Sequence, residues 1–208
     1  MEILSLLKNL PFIDLGTGHK RHSTKSKLIG YRHAAAFASP GKRALDMGCG
    51  DGFWSRRLAE AGYAVTSIDL EKHYQAATAV NLEHGLPFPD TSFDLVWSTD
   101  VLEHLHTPER TVAEIKRVLK PGGLLTLTTP NSHFWLYPVF RMFGLTPKDL
   151  QNPDHKQFFH ISDIKKLFPK SLLFGFFPYI IAKFTIRHPK AVHHLSPSFV
   201  VVAKKEDL

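Results

Sequence analysis

The sequence predicts an α/β domain built on a mostly parallel, doubly wound sheet, and three observations carry that reading. Ala44 to Gly62, ALDMGCGDGFWSRRLAEAG, runs from an apolar strand ending in an acid, through a glycine loop, into an amphipathic helix. A second apolar strand, Ala64 to Asp69, again ends in an acid. Further on, strand and helix patterns keep alternating, and parallel neighbours require such crossovers, whereas antiparallel ones can be joined by a tight turn. The 208 residues and 43% apolar content suit a single domain with a sizeable core.

Each element has a local cause. Lys25–Ala38 reads as a helix capped near Ser23 or Thr24 and stopped by Ser39-Pro40-Gly41. Arg43–Met47 is the first strand, and Phe53–Ala61 is its crossover helix, ended by Gly62. After the second strand only 11 residues separate Asp69 from Asn81. That is too short for a full crossover helix and a third strand, so a loop or single turn is expected there. Phe93–Ser98 is the fourth strand, Pro108–Leu119 a helix with proline in its first turn, and Leu124–Thr129 the fifth strand. Lys120-Pro121-Gly122-Gly123 reads as the turn between the last two. Ile161–Phe168 follows as a helix, then strands at Leu172–Phe177 and Phe199–Lys204. Two aromatic-rich stretches, His133–Leu145 and Leu172–Phe184, suit inward packing, a lid helix or contact with a lipid interface.

The glycine loop points to a ligand. Gly48, Gly50 and Gly52 let the backbone turn tightly and approach a bound molecule. Ligands of open α/β sheets bind outside the carboxyl ends of strands, so Asp46 there suits a cationic group such as an α-amino group. Asp69, 23 residues further on, stands where a ribose carboxylate belongs. A dinucleotide fingerprint would need a third small residue where this chain has Phe53, which opposes a nicotinamide-dependent oxidoreductase.

The string from Asp46 to Gly52 resembles motif I of the class I S-adenosylmethionine-dependent methyltransferases. Residues 81–105, NLEHGLPFPDTSFDLVWSTDVLEHL, and 117–130, RVLKPGGLLTLTTP, continue the resemblance to the type 11 small-molecule branch. It implies a Rossmann-like seven-stranded sheet whose last strand is antiparallel and inserted beside the fifth. It implies a methyltransferase domain at 43–208 with a substrate-side insertion at about 131–170, preceded by a helical extension at 1–42. The cofactor would be S-adenosyl-L-methionine and the product S-adenosyl-L-homocysteine. Asp46 would hold the methionine amino group directly or through water, and Gly48, Cys49 and Gly50 would pass beneath the methionine and ribose. Asp69 would accept both ribose hydroxyls, Leu70 would press on the adenine, and Asn81 with Leu82 would border it. Asn81 stands where many relatives carry Asp and also suits closing a turn. Ser98 would sit by the methionine portion or cap the following turn.

An activated methyl donor asks the protein mainly for alignment, and a base is needed only when the acceptor is a hydroxyl. His104, His155 and His133 are the base candidates, with Glu103 and His160 beside them. The cluster Asp100, Glu103, His104 and His106 lacks the H-E-x-x-H spacing, so no metal is expected. The segment Ser98-Thr99-Asp100-Val101 replaces the Asn/Asp-Pro-Pro-aromatic string of amino-group methyltransferases, and the one thiol, Cys49, lies in the loop rather than beside an acceptor. The expected function is methyl transfer to a small-molecule or lipid-linked acceptor, at oxygen. A silent cofactor-binding partner subunit remains the alternative.

Charge divides unevenly along the chain. Residues 1–43 carry 8 Lys+Arg against 2 Asp+Glu, residues 44–131 carry 7 against 12, and residues 132–208 carry 11 against 5. Basic flanks around an acidic core favour an anionic acceptor and peripheral contact with a membrane surface, while no nucleic-acid module is recognisable. A single cysteine and an acid at Glu2 in a short apolar start point to the cytoplasm.

Overall fold

The strands join into one sheet whose centre is buried on both faces. They are β1 (Arg43–Met47), β2 (Ala64–Asp69), β3 (Thr78–Ala79), β4 (Phe93–Thr99), β5 (Leu119–Pro130), β6 (Leu172–Phe176), β7 (Thr185–Ile186) and β8 (Ser198–Lys204). Their order is β3-β2-β1-β4-β5-β8-β6-β7 in this computed structural model, which describes residues 25–177 and 184–208. From β3 to β5 all pairings are parallel, and β8 runs antiparallel to both β5 and β6, as the resemblance implies. The chain leaves β1 toward β2 and later returns to β4 on the other side of β1. The loops after β1 and β4 therefore part company and leave a crevice at the carboxyl ends.

Two differences from the expected sheet have physical causes. An eighth strand, β7, pairs with β6 over only Gly175↔Ile186 and Phe176↔Thr185, a span too short to leave a readable pattern. Lys120-Pro121-Gly122-Gly123 is a bulge inside β5 rather than a turn before it. Phe93 pairs with Leu119 but Leu95 pairs with Leu124, so four residues oppose Asp94 alone. Gly123 is needed there, because a Cβ would lie 2.8 Å from the Lys120 carbonyl oxygen.

Helices cover both faces. α1 (Lys25–Phe37) and α2 (Phe53–Glu60) pack on one side, where Ile29, Ala34, Trp54, Leu58, Trp97 and Val200 form a continuous core. Gly30 lets α1 approach closely, since a Cβ would meet Thr126 Cγ2 at 2.7 Å. α3 (Pro108–Val118) and α6 (Ile161–Leu167) cover the other side with Val112, Ile115 and Ile164 on Val96, Leu125 and Val201. Between β2 and β4 only β3 and a 3-10 turn at Leu82–His84 occur, as the short spacing predicts. The expected cap at Ser23 or Thr24 lies outside the described residues.

The segment after β5 forms α4 (Leu136–Met142) and α5 (Pro147–Leu150) before α6. Its aromatic residues divide by face. Phe134, Tyr137, Phe140 and Leu150 build a small separate core, whereas Trp135, Val139, Met142 and Phe143 stay exposed. A further helix, α7 (Pro189–Leu195), was not predicted; it is short, and Val192 is its one buried residue. Of the second aromatic stretch, β6 accounts for the first five residues, and 178–183 lie outside the described residues. No helix among the described residues is long and apolar enough to cross a membrane.

Candidate active site

The glycine loop is held from below and open above. Gly48 and Cys49 donate their N–H groups to the Ile68 carbonyl at 2.9 and 3.1 Å, tying the loop to β2. Gly48, Gly50 and Gly52 have φ of 77°, 55° and 76°, a region that side chains rarely tolerate. A Cβ on Gly48 would strike Val101 at 2.2 Å and one on Gly52 the Tyr74 ring at 2.5 Å, but one on Gly50 would meet nothing within 4 Å. The first and third glycines therefore serve packing, and the middle one leaves space above the loop.

Asp69 fastens that loop. Its Oδ2 accepts from the Gly50 N–H at 2.7 Å, while Oδ1 has only a long contact of 3.4 Å with the Glu71 N–H. One carboxylate oxygen is thus largely committed to the backbone and the other is available to a ligand. Asp46 is buried beneath the loop, accepting from Ser55 Oγ at 2.6 Å, and Ser67 in turn donates to Ser55 at 2.8 Å. Burial pushes the Asp46 carboxyl up to about 7, with the Asp69 charge adding to the shift. It clamps the first turn of α2 to β1 from beneath.

Above the carboxyl ends of the strands lies a cavity of about 640 Å³. Five of the expected cofactor residues line it, namely Gly48, Asp69, Leu70, Asn81 and Leu82, and so does one expected base, His104. Leu70 is 66% exposed at the cavity, an apolar surface to which a flat ligand ring can be apposed. Asn81 both faces the cavity and accepts from the Glu83 N–H at 3.0 Å, so it closes the 3-10 turn as well. Asp46, Cys49 and Ser98 are buried behind the wall, and Gly50 does not line the cavity. The Ser98 hydroxyl is buried without a partner, and burial pushes the Cys49 thiol up to about 12, leaving it unreactive at neutral pH.

Other lining residues were not found from the sequence. Val101, Glu71, His73, Asp154 and Lys156 are among them. Asp100, read earlier only in the metal context, also lines it; it adopts φ 55°, pairs with Lys27 of α1 at 2.9 Å, and accepts from Thr128 at 3.0 Å. Lys27 reaches it from 73 positions away in sequence, so no local pattern could reveal the pair. Glu83 accepts from the His106 N–H at 2.6 Å and the Thr107 hydroxyl at 3.0 Å, which draws its carboxyl below the usual range and fixes the loop after β4.

Behind His104 sits a buried acid and base. Glu103 accepts from Thr129 at 2.9 Å, and its other oxygen, Oε1, has no hydrogen-bond partner and lies 4.0 Å from His155 Nε2. His155 Nδ1 meets Gln151 Oε1 at 3.1 Å. That acceptor requires the proton on Nδ1, so the Nε2 lone pair faces Glu103. Burial raises the Glu103 carboxyl well above its ordinary value and lowers His155 to about 4. Both shifts favour a protonated Glu103 and a neutral His155, with no net charge on the pair. The His104 ring stands edge-on to His155 at 4.8 Å. Glu103, His104 and His155 each bring one ligand atom within 4.8 Å of the others, a spacing that a metal ion could also occupy. His133 is placed apart from them, in edge contact with His160 at 5.0 Å, and His160 in turn meets His193 at 4.4 Å.

A family model described as a methyltransferase domain matches residues 45–127, the segment that carries the loop, Asp69 and His104. Residues 45–127 thus match a methyltransferase-domain family, in line with the resemblance read from the sequence. Among curated proteins, the ubiquinone biosynthesis O-methyltransferase of Coxiella burnetii is 31% identical over 142 residues, covering 60% of this chain and 60% of that protein. The 2-methyl-6-phytyl-1,4-hydroquinone methyltransferase of a Synechocystis strain is 37% identical over 123 residues, covering 49% of this chain and 39% of that one. The chain thus spans 60% or less of the length of these relatives. A solved SAM-dependent methyltransferase from Archaeoglobus fulgidus shares the fold, with a TM-score of 0.63 and 17% identity over 91% of this chain and 98% of that one. The cavity fits S-adenosyl-L-methionine on its own chemistry. It offers a free carboxylate oxygen for a diol, an uncovered leucine for a ring, and a volume within the ~300–1,000 Å³ of ligand sites.

Proposed function

We propose that this protein transfers the methyl group of S-adenosyl-L-methionine to a hydroxyl of a small ring-bearing acceptor. The observation that carries the reading is His104, which lines the cofactor cavity and is backed edge-on by the buried Glu103–His155 pair. The cofactor brings an already activated methyl group, so this chain's residues have to orient and deprotonate. The loop at Gly48–Gly52 and Asp69 hold the nucleoside end, and Leu70 covers its ring. His104 accepts the acceptor's hydroxyl proton, and the neutral pair behind it keeps a second positive charge from competing at that position. The names of the Coxiella and Synechocystis relatives, an O-methyltransferase and a hydroquinone methyltransferase, support an acceptor of this type.

Calorimetry and a labelled transfer assay test the reading together. S-adenosylhomocysteine should bind and NAD should not, and labelled methyl should appear on hydroquinone or catechol acceptors. Binding without transfer to any acceptor would favour a silent partner subunit instead.

A second element of the reading concerns where the acceptor is met. Trp135, Val139, Met142 and Phe143 are 37%, 39%, 85% and 76% exposed and fall at helical spacing along α4, with Arg141 beside them. Exposed apolar side chains next to a cation suit shallow insertion into an anionic lipid surface, each nearby cation adding about 1 kcal/mol. Sedimentation with anionic liposomes should show association that falls with salt, and Met142→Ser with Phe143→Ser should reduce it. Phe134 is buried, so it belongs to the fold and not to this surface. Liposome binding unchanged in the double variant would place the contact on another surface, and no association at low salt would leave the acceptor to be met in solution.

A further inference from the structure

A second cavity, of about 610 Å³, opens beside the outer edge of β6 and shares no lining residue with the cofactor cavity. Its origin is a mismatch of strand lengths. β6 pairs with β8 over Leu172–Phe174, but β7 joins its other edge only at Gly175 and Phe176, so among the described residues that edge is uncovered from Leu172 to Phe174. The end of α6 and one residue of α1 stand around the gap.

The walls combine an apolar floor with a basic rim. Phe168 and Phe174 are 1% and 6% exposed and form the floor, and Leu172 presents an apolar side chain that is 59% exposed. His33, Lys165 and Arg187 line the same space, and no acidic residue does. The His33 ring lies 4.8 Å from the Phe174 ring, and the Arg187 guanidinium sits over that ring at 5.8 Å. Among the described residues neither Lys165 nor Arg187 has a carboxylate partner. The one hydroxyl, Ser171, donates to the Phe168 carbonyl at 2.9 Å. Burial and the Arg187 charge hold His33 below its ordinary pKa, as expected for cations gathered without a counterion.

We propose that this cavity binds an amphipathic carboxylate, its anionic head among His33, Lys165 and Arg187 and its apolar body against Phe168, Leu172 and Phe174. The inference stands independently of the methyl-transfer reading. A nucleotide or sugar is disfavoured because the free side chains offer no hydroxyl or amide to recognise it. A neutral lipid would leave the cationic rim uncompensated. A carboxylate meets Arg187 with the paired donors that suit its two oxygens, and the volume lies in the usual range of small-ligand sites.

The probe is dodecanoate, titrated below micelle formation into the full chain and followed by calorimetry and by the His33 imidazole resonances. One saturable site is expected, and bound anion should raise the His33 pKa. Dodecanol should bind about tenfold or more weakly, and Arg187→Gln should weaken dodecanoate by a similar factor, the size of one charge-assisted contact. Leu172→Ser should weaken dodecanoate and dodecanol together. S-adenosylhomocysteine affinity should be unchanged in both variants, which also shows that they fold. Any of three results overturns the proposal: equal binding of dodecanol and dodecanoate, no loss in Arg187→Gln, or displacement of dodecanoate by S-adenosylhomocysteine.

Discussion

Replacing Asp69 by alanine is expected to weaken S-adenosylhomocysteine binding by about a hundredfold or more. Two interactions are lost at once, the 2.7 Å bond from the Gly50 N–H and the acceptor left for a ribose hydroxyl. Hydrogen bonds to charged groups contribute roughly 1.5–3 kcal/mol each, and about 1.4 kcal/mol is a factor of ten in affinity. The two losses can be separated. Asp69→Asn keeps an oxygen for the Gly50 N–H, so it should preserve the thermal stability of the ligand-free protein while losing the charge-assisted part of binding. Asp69→Ala orphans a backbone donor and should also lower ligand-free stability by about 1–3 kcal/mol. If the alanine variant binds the ligand as tightly as the parent, Asp69 only anchors the loop and the ribose contact lies elsewhere.

The first half of the site was legible because its chemistry is local. Asp46, the three glycines and Asp69 fall at the ends of two adjacent strands, and short-range pattern alone sets both the turn and its register. The same logic explains β1 and β2, whose ends agree with the expected ones residue for residue. What sequence could not assign was which atoms are already spent. Asp69 was read as meeting a ribose with both oxygens, yet one is tied to Gly50. Asp46 was read as facing the ligand's amino group, yet Ser55 and Ser67 hold it below the wall. Both facts depend on hydrogen bonds across elements.

The second half depends on chain returns that no local pattern carries. Among 13 histidines nothing in the spacing distinguishes those at the cavity from the rest. His155 reaches Glu103 because the Lys156 and Gln157 N–H groups donate to the Glu103 carbonyl at 2.8 and 3.0 Å, docking the segment after α5 onto the loop after β4. His133, equally plausible by position after β5, is drawn instead toward His160 and His193. The bulge at Lys120–Gly123 belongs to the same class: a Pro-Gly-Gly string signals a turn, and only pairing with β4 on both sides of it shows that the strand continues.

Glu103→Gln is expected to separate activity from stability, with the two moving in opposite directions. Glu103 has its folded pKa raised by burial and by Asp100, so its contribution to stability is fully present below the unfolded value near 4.5 and is lost as pH rises through the folded pKa. His155 has the reverse sign. Its pKa is lowered to about 4, first by burial and then by His104, so its contribution is present above the unfolded value of 6.5 and is lost as pH falls toward 4. Between those limits the two slopes oppose each other. Removing the acid should therefore raise the melting temperature on the alkaline side, at pH 8, and leave the loss on the acid side exposed. A gain of about 1 kcal/mol corresponds to roughly 2–4 °C in a protein of this size. Methyl transfer should fall by less than the ~10²–10⁴ that a positioned base contributes, because His104 itself is retained. Glutamine does not titrate, so the pH at which the remaining rate reaches half its plateau should also shift, which a purely structural role would not produce. His155→Gln provides the mirror image, flattening the acid side of the stability curve. A Glu103→Gln protein with unchanged rate and pH profile would show that the buried pair does not support His104.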